Sequence, residues 1–374
     1  MNILIVKLSA IGDVIHTLPA LAALRRRYPD ADITWVVEEA AADLLTAHPQ
    51  LDRVLISRRK SWLRDLGRGR VATPLREICA FFRDLRSRPY DLVIDFHGLL
   101  KSAVIVLISG GKRKLGYDSM QEGSGLFYNE KIPEAMEKHA VDRYLDFVRH
   151  LEKDGCGVKG LEEAPEFTIA LGGEDPGPRT ALRDGQSEGI ERVEGRGDGR
   201  ESGGGRNGER RFVAVSPVAF WETKLWEDDK FAELGDRIRR ELGIGVILTG
   251  GEAGPLEMIK ARMKTAAVNL GGQTTLRELA SLYRDASLVI TTDSGPMHLA
   301  AAVGTPVVAL FGPTDPARTG PYGRGHRIVR RELTCSPCFR KRCKAPRCMT
   351  DITVEDVFSA VKEILGKGDK DGNQ

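Results

Sequence analysis

The strongest constraint on the fold is a repeated alternation of short apolar strands and helical stretches, present on both sides of a glycine- and arginine-rich segment. In the first half, strands are predicted at Ile3–Val6, Ile33–Val37, Arg53–Ile56 and Leu92–Phe96. Between them lie stretches such as Asp13–Tyr28, where Val14, Leu18, Leu21 and Leu24 recur at helical spacing. In the second half, strands are predicted at Phe212–Val215, Val246–Thr249, Leu288–Thr291 and Val307–Phe311, with helical periodicity over Asp229–Leu242, Thr275–Arg284 and Pro296–Val303. Near-continuous β-branched runs joined by helical crossovers require parallel sheets covered on both faces. The intervening 40 residues, Gly172–Arg211, hold 12 Gly, 8 Arg and 9 Asp or Glu. Apolar side chains are too sparse there to offset the entropy of ordering the backbone. The expectation is therefore two Rossmann-like α/β domains, 1–171 and 212–374, joined by a flexible linker or insertion over 172–211 and facing a central cleft.

Composition narrows the function. Hydrophobic residues make up 41% and charged residues 29%, which excludes a wholly disordered chain, and the net charge of +3 does not point to nucleic acid. The longest apolar run, Ala103–Ile108, is far short of the roughly 20 residues that span a bilayer. Met1 leads directly into the strand-like Ile3-Leu4-Ile5-Val6, so no signal peptide is expected and a soluble intracellular enzyme is.

In open α/β sheets, ligands bind beyond the carboxyl ends of the strands, where strand order reverses. The first such turn, Lys7-Leu8-Ser9-Ala10-Ile11-Gly12-Asp13, has a single glycine and is not a dinucleotide fingerprint; no P-loop occurs either. Asp13 is expected at the N-cap of the first helix, a structural role, or facing the cleft as a proton acceptor kept ionised by Lys7. In the second half, Asp293-Ser294-Gly295-Pro296-Met297-His298 opens a helix whose amide end suits a diphosphate. Asp293 is then expected to meet a sugar hydroxyl, and His298 lies on the first turn. Lys224 beside Trp226, and Glu252 after Gly250-Gly251, are expected at neighbouring strand ends, as is Gly312-Pro313-Thr314-Asp315. Together they suggest a nucleotide-diphosphate-sugar pocket.

These segments resemble the ADP-heptose:lipopolysaccharide heptosyltransferase family over nearly the whole chain outside Gly172–Arg211. Asp95-Phe96-His97-Gly98-Leu99-Leu100-Lys101-Ser102 and His139-Ala140-Val141-Asp142-Arg143 are further similar to the branch that adds the first heptose to Kdo on lipid A. The resemblance implies a GT-B fold, with acceptor on the N-terminal domain and ADP-heptose on the C-terminal one. It implies Asp13 as the general base of an inverting transfer, with no cofactor required for catalysis. It also implies Lys224 on the diphosphate, Glu252 on the nucleoside, and Asp293, Ser294, Gly295 and His298 around the donor. Ala219 and Phe220 replace hydroxyl residues that some relatives place before the lysine.

From Arg53 to Arg88 there are 11 Lys or Arg against 3 Asp or Glu. This stripe is either a solvated helix surface or a face for anionic lipid and the acidic inner core of lipopolysaccharide. Peripheral association with the cytoplasmic face of the inner membrane is expected, with Arg59, Lys60, Lys101 and Arg143 on the Kdo-lipid A acceptor. Nucleic acid is not an expected partner, since only Trp62 and Phe81-Phe82 offer rings for stacking. Cys335, Cys338, Cys343 and Cys348 fall within 14 residues and are candidates for one structural metal, with reduced thiols the alternative. Competing functions are transfer onto the first core heptose, a nucleotide-sugar epimerase on the same fold, or a non-enzymatic lipid- or nucleic-acid-binding protein.

Overall fold

A computed structural model describes residues 1–119, 121–152, 164–171 and 211–371. Of the predicted linker, all but Arg211 lies outside the described residues, as does Cys156. The chain divides into two compact units, Met1–Ala170 and Leu171–Gln374, each built on a six-stranded parallel sheet.

The first unit runs β1 (Asn2–Val6), α1 (Ile11–Arg27), β2 (Asp32–Glu38), α2 (Glu39–Leu45), β3 (Arg53–Ser57), α3 (Arg59–Gly67), α4 (Ala72–Leu85), β4 (Leu92–Asp95), α5 (Leu100–Ser109), β5 (Arg113–Tyr117), β6 (Glu130–Ile132) and α6 (Ala140–Glu152). Its strand order is β3-β2-β1-β4-β5-β6. Ile3, Leu4, Ile5 and Val6 are fully buried, because β1 has a neighbour on each side and both its faces are covered. Each such side chain contributes about 1.5–3 kcal/mol. The chain moves outward from β1 through β2 to β3, then returns to place β4 on the other side of β1. The β1/β4 boundary is therefore the switch point where a ligand crevice is expected.

The second unit has the same plan. It comprises β7 (Phe212–Ser216), α7 (Asp228–Leu242), β8 (Gly245–Leu248), α8 (Ala253–Arg262), β9 (Val268–Asn269), α9 (Leu276–Asp285), β10 (Leu288–Thr292), α10 (Gly295–Ala302), β11 (Val307–Phe311), α11 (Pro316–Thr319), β12 (Arg327–Arg330), α12 (Arg347–Thr350) and α13 (Val354–Asp371). The order β12-β11-β10-β7-β8-β9 puts its switch point between β7 and β10. All eight predicted strands form. The four additional ones, β5, β6, β9 and β12, are short or carry charged residues, so no apolar run announces them.

Candidate active site

In the first unit, the loop leaving β1 brings a buried cation beside a carboxylate. Lys7 is 3% exposed, and its Nζ donates to the Phe96 carbonyl (3.0 Å) and the Tyr144 hydroxyl (2.6 Å). Burial pulls the Lys7 pKa below its ordinary value, against the opposing charges of Asp13 and Asp95. Asp13 is not the N-cap expected from the sequence. Ala10 caps α1, and Asp13 sits one turn in, its Oδ2 accepting the Ala10 N–H at 3.2 Å. An alanine in the cap position leaves the helix end to be satisfied by this reach-back from the third helical residue. The Asp13 side chain remains partly exposed.

A second cluster surrounds Glu38, at the end of β2. Its carboxylate is 3% exposed and lies 3.2 Å from Arg59 Nη2, 3.4 Å from Lys60 Nζ and 3.7 Å from Lys101 Nζ. Three predicted acceptor residues thus converge on one carboxylate, and three cations against one anion leave two positive charges uncompensated within the cluster. Lys101 also donates to Ser9 Oγ at 3.2 Å, which ties the cluster to the β1 loop. Burial lowers the Lys101 pKa, with Glu38 opposing the shift. Arg143 is not in this cluster: its Nη1 donates to Glu134 at 3.3 Å, and its charge acts on Lys7. Sequence reasoning missed Glu38, although the carboxylate pair Glu38-Glu39 at the carboxyl end of a buried strand was the available signal.

Part of the basic stripe is locally neutralised. Arg58 pairs with Glu39 and Glu77, and Arg88 with Asp32. Trp62 and Phe81 are each 8% exposed and belong to the core, so these rings are not a platform for bases.

In the second unit, the loops after β7 and β10 meet at the switch point. Lys224 Nζ lies 2.6 Å from Asp293 Oδ2, and Thr314 Oγ1 donates to the same oxygen at 2.5 Å. Asp293 is 4% exposed, and its N–H donates to the Leu310 carbonyl at 3.2 Å. Ser294 caps α10, which begins at Gly295; His298 is buried on the same helix. Lys224 stands 4.6 Å above the Trp221 ring, whereas Trp226, its predicted neighbour, is buried and donates to the Ile352 carbonyl at 3.0 Å. Glu252 is exposed at the N-cap of α8. A side chain on Gly271 would meet the Glu252 carbonyl at 2.5 Å, so glycine is what lets that loop press against α8. The sequence thus finds Lys224, Asp293, Ser294, Gly295 and His298 on the loops and helix flanking one switch point, with Glu252 on the loop after β8.

The sequence profile of glycosyltransferase family 9, the heptosyltransferases, matches residues 78–349. The chain belongs to that family. Similar relatives include lipopolysaccharide heptosyltransferase 1 of Pseudomonas aeruginosa, 31% identical over 92% of this chain and 87% of that protein. The protein of the same name from Escherichia coli K12 is 30% identical over 88% of this chain and 93% of its own length. Among solved structures, E. coli heptosyltransferase WaaC with ADP superposes with a TM-score of 0.73 at 26% identity, covering 97% of this chain and all of that one. The two sheets described above are those of the GT-B heptosyltransferases, and this family member is a glycosyltransferase.

The four cysteines that were candidates for a structural metal do not assemble a site. Among the described residues, no group of three or more His, Cys, Asp or Glu side chains is placed to hold an ion. Cys335, Cys338 and Cys343 are exposed, while Cys348 is buried in the core of the second unit, and all are free thiols. Burial raises the Cys348 pKa, and the three other thiols raise it further. The loop braces the β7 and β11 ends instead. The Cys338 and Phe339 N–H groups donate to the Pro313 carbonyl at 2.9 and 2.8 Å, and Thr223 Oγ1 donates to the Arg340 carbonyl at 2.7 Å.

Proposed function

We propose that this heptosyltransferase moves heptose from ADP-heptose to a Kdo sugar of the lipopolysaccharide inner core, with inversion and with Asp13 as general base. The observation that carries this reading is Asp13 beside the buried Lys7 at the first switch point, in the same unit as the cation cluster on Glu38. The Asp13 carboxylate acts electrostatically on the buried Lys7 ammonium, which places the two groups at one point of the loop. The acceptor hydroxyl attacks the anomeric carbon while Asp13 takes its proton, and the bond from that carbon to the diphosphate oxygen breaks as ADP leaves. Arg59, Lys60, Lys101 and Arg143 hold the acidic acceptor.

The donor falls to the second unit. Lys224 and the α10 terminus at Ser294 and Gly295 take the negative charge that develops on ADP. Asp293 and His298 meet the heptose, and Glu252 the nucleoside. A solved structure of WaaC with ADP-2-deoxy-2-fluoro heptose, TM-score 0.72 and 26% identical, supports a nucleotide-heptose donor. This displacement calls on no cofactor.

The site of action in this reading is the cytoplasmic face of the inner membrane. Among the described residues no helix is long and apolar enough to cross a membrane. Leu100, Val104 and Leu107 form an exposed apolar edge along α5, which also carries Lys101. Such an edge beside cations suits peripheral docking on anionic lipid.

Mass spectrometry after incubation with ADP-heptose and Kdo-lipid A tests the proposal. A gain of one heptose on the acceptor, with release of ADP, is expected. Transfer only onto an already heptosylated core would assign the chain to the second step instead. Turnover of ADP-heptose with no acceptor would indicate an epimerase.

A further inference from the structure

His97 has no part in the reaction described above, yet it occupies the centre of the first unit's switch point. It follows β4, whose neighbour across that boundary is β1. The turn that carries it is rigidly built. The fully buried Asp95 carboxylate accepts the N–H groups of His97 (2.8 Å) and Gly98 (3.2 Å) on one oxygen and the Tyr128 hydroxyl (2.7 Å) on the other. Gly98, at φ +70°, allows the chain to reverse there. The imidazole is therefore directed by its own backbone and not by partners of the ring.

Both ring nitrogens of His97 are buried, and neither forms a hydrogen bond within the protein. The Ser9 backbone lies close to the ring and favours its charged form. Leaving a buried polar atom unsatisfied costs about 1–3 kcal/mol, so two ring nitrogens without a protein partner at a ligand crevice call for one. We infer that His97 binds the acceptor sugar, its two ring nitrogens pairing with the sugar's hydroxyl groups between the Lys7–Asp13 loop and the Lys101–Glu38 cluster. The inference rests on the acceptor being held in the first unit, as proposed above.

The electrostatics fit that role. Burial, followed by the charges of Lys7, Lys101 and Arg59, pushes the His97 pKa down to about 2. The ring is thus neutral at physiological pH, with one N–H donor and one acceptor nitrogen. Lysine and arginine side chains only donate. They recognise the charge of an acidic sugar but leave the protons of its hydroxyls without acceptors. A neutral imidazole supplies both halves: its bare nitrogen accepts an O–H, and its N–H donates to a sugar oxygen. The cations then read charge, and His97 reads the hydroxyl pattern.

The test compares His97→Ala, His97→Phe and His97→Gln by steady-state kinetics, with acceptor varied at saturating ADP-heptose. Calorimetric ADP binding and circular dichroism report the integrity of each variant. Loss of the paired ring should raise the acceptor KM about 10- to 100-fold in the Ala and Phe variants, with ADP affinity unchanged. Glutamine, neutral and both donor and acceptor, should restore the acceptor KM to within about fivefold of wild type. An unaltered acceptor KM in His97→Ala or His97→Phe would overturn the inference. So would a glutamine variant as impaired as the phenylalanine one while folded and binding ADP. If the wild type ignores Kdo-lipid A, it is the proposed function that fails. His97 is then decided by the same three variants on the heptosylated core acceptor that the wild type does use.

Discussion

Replacing Lys224 with methionine removes one half of a buried ion pair and, in the proposed function, the main charge on the donor diphosphate. A double-mutant cycle separates the two effects. In Lys224→Met, Asp293 keeps Thr314 at 2.5 Å but loses the ammonium at 2.6 Å. Breaking a buried pair from one side costs about 3–5 kcal/mol. Here the lysine side chain is 16% exposed and Thr314 still donates, so a loss of about 2–3 kcal/mol is expected. Adding Asp293→Asn removes the stranded charge while its amide oxygen still accepts from Thr314. Stability should return to within about 1 kcal/mol of wild type. Donor affinity should not return with it. A charge-assisted hydrogen bond contributes about 1.5–3 kcal/mol, so the Kd for ADP should be about 10- to 150-fold weaker in both the single and the double variant. Urea denaturation and calorimetry with ADP measure the two quantities. If ADP affinity recovered together with stability in the double variant, Lys224 would act only by holding Asp293, and its place on the diphosphate would be wrong.

Three further outcomes follow from the same structure. Burial alone would raise the Asp236 pKa, but the Lys264 and Thr265 N–H groups and the Thr265 hydroxyl, at 2.8–2.9 Å, outweigh it and hold the carboxyl below its usual range. Its contribution is therefore present at neutral pH and lost as pH falls from about 4 through the folded-state value. Asp236→Asn should be about 1–2 kcal/mol less stable than wild type at pH 7, with the gap closing on acidification; equal gaps at pH 7 and pH 3 would contradict this. A Cβ at Gly116 would lie 2.3 Å from the Tyr128 ring, which is tied to Asp95, so Gly116→Ala should cost about 3 kcal/mol and lower the melting temperature; an unchanged melting temperature would refute it. Leu107→Glu, at a position 51% exposed on α5, should weaken binding to phosphatidylglycerol vesicles roughly tenfold in flotation assays, whereas unchanged flotation would remove that edge from the membrane contact.

The strands that carry the site were legible in the sequence, because a central parallel strand must be apolar on both faces and Ile3–Val6 and Leu288–Ile290 meet that condition. The loops that follow were legible as well, since Asp13, Lys224 and Asp293 lie at strand ends where ligands gather. What escaped was set by tertiary pairing. Glu38 looks like an ordinary strand-end charge until Arg59, Lys60 and Lys101 are folded onto it. Trp221 and Trp226 flank Lys224 in sequence, and only the fold assigns one to the lysine and the other to the core. The cysteine spacing is compatible with a tetrahedral site, but Cys348 is committed to the core and its three companions are not. Charge-bearing β12 and the two-residue β9 have no periodicity long enough to detect.

The most direct measurement is turnover of Asp13→Asn with ADP-heptose and Kdo-lipid A. Asparagine keeps an oxygen able to accept the Ala10 N–H at the start of α1, so folding and ADP affinity should be preserved. It takes up no proton, and kcat should fall about 10²- to 10⁴-fold. A variant that binds ADP normally and turns over at the wild-type rate would show that Asp13 only braces the start of α1 through the Ala10 N–H and that the proton leaves the acceptor by another route.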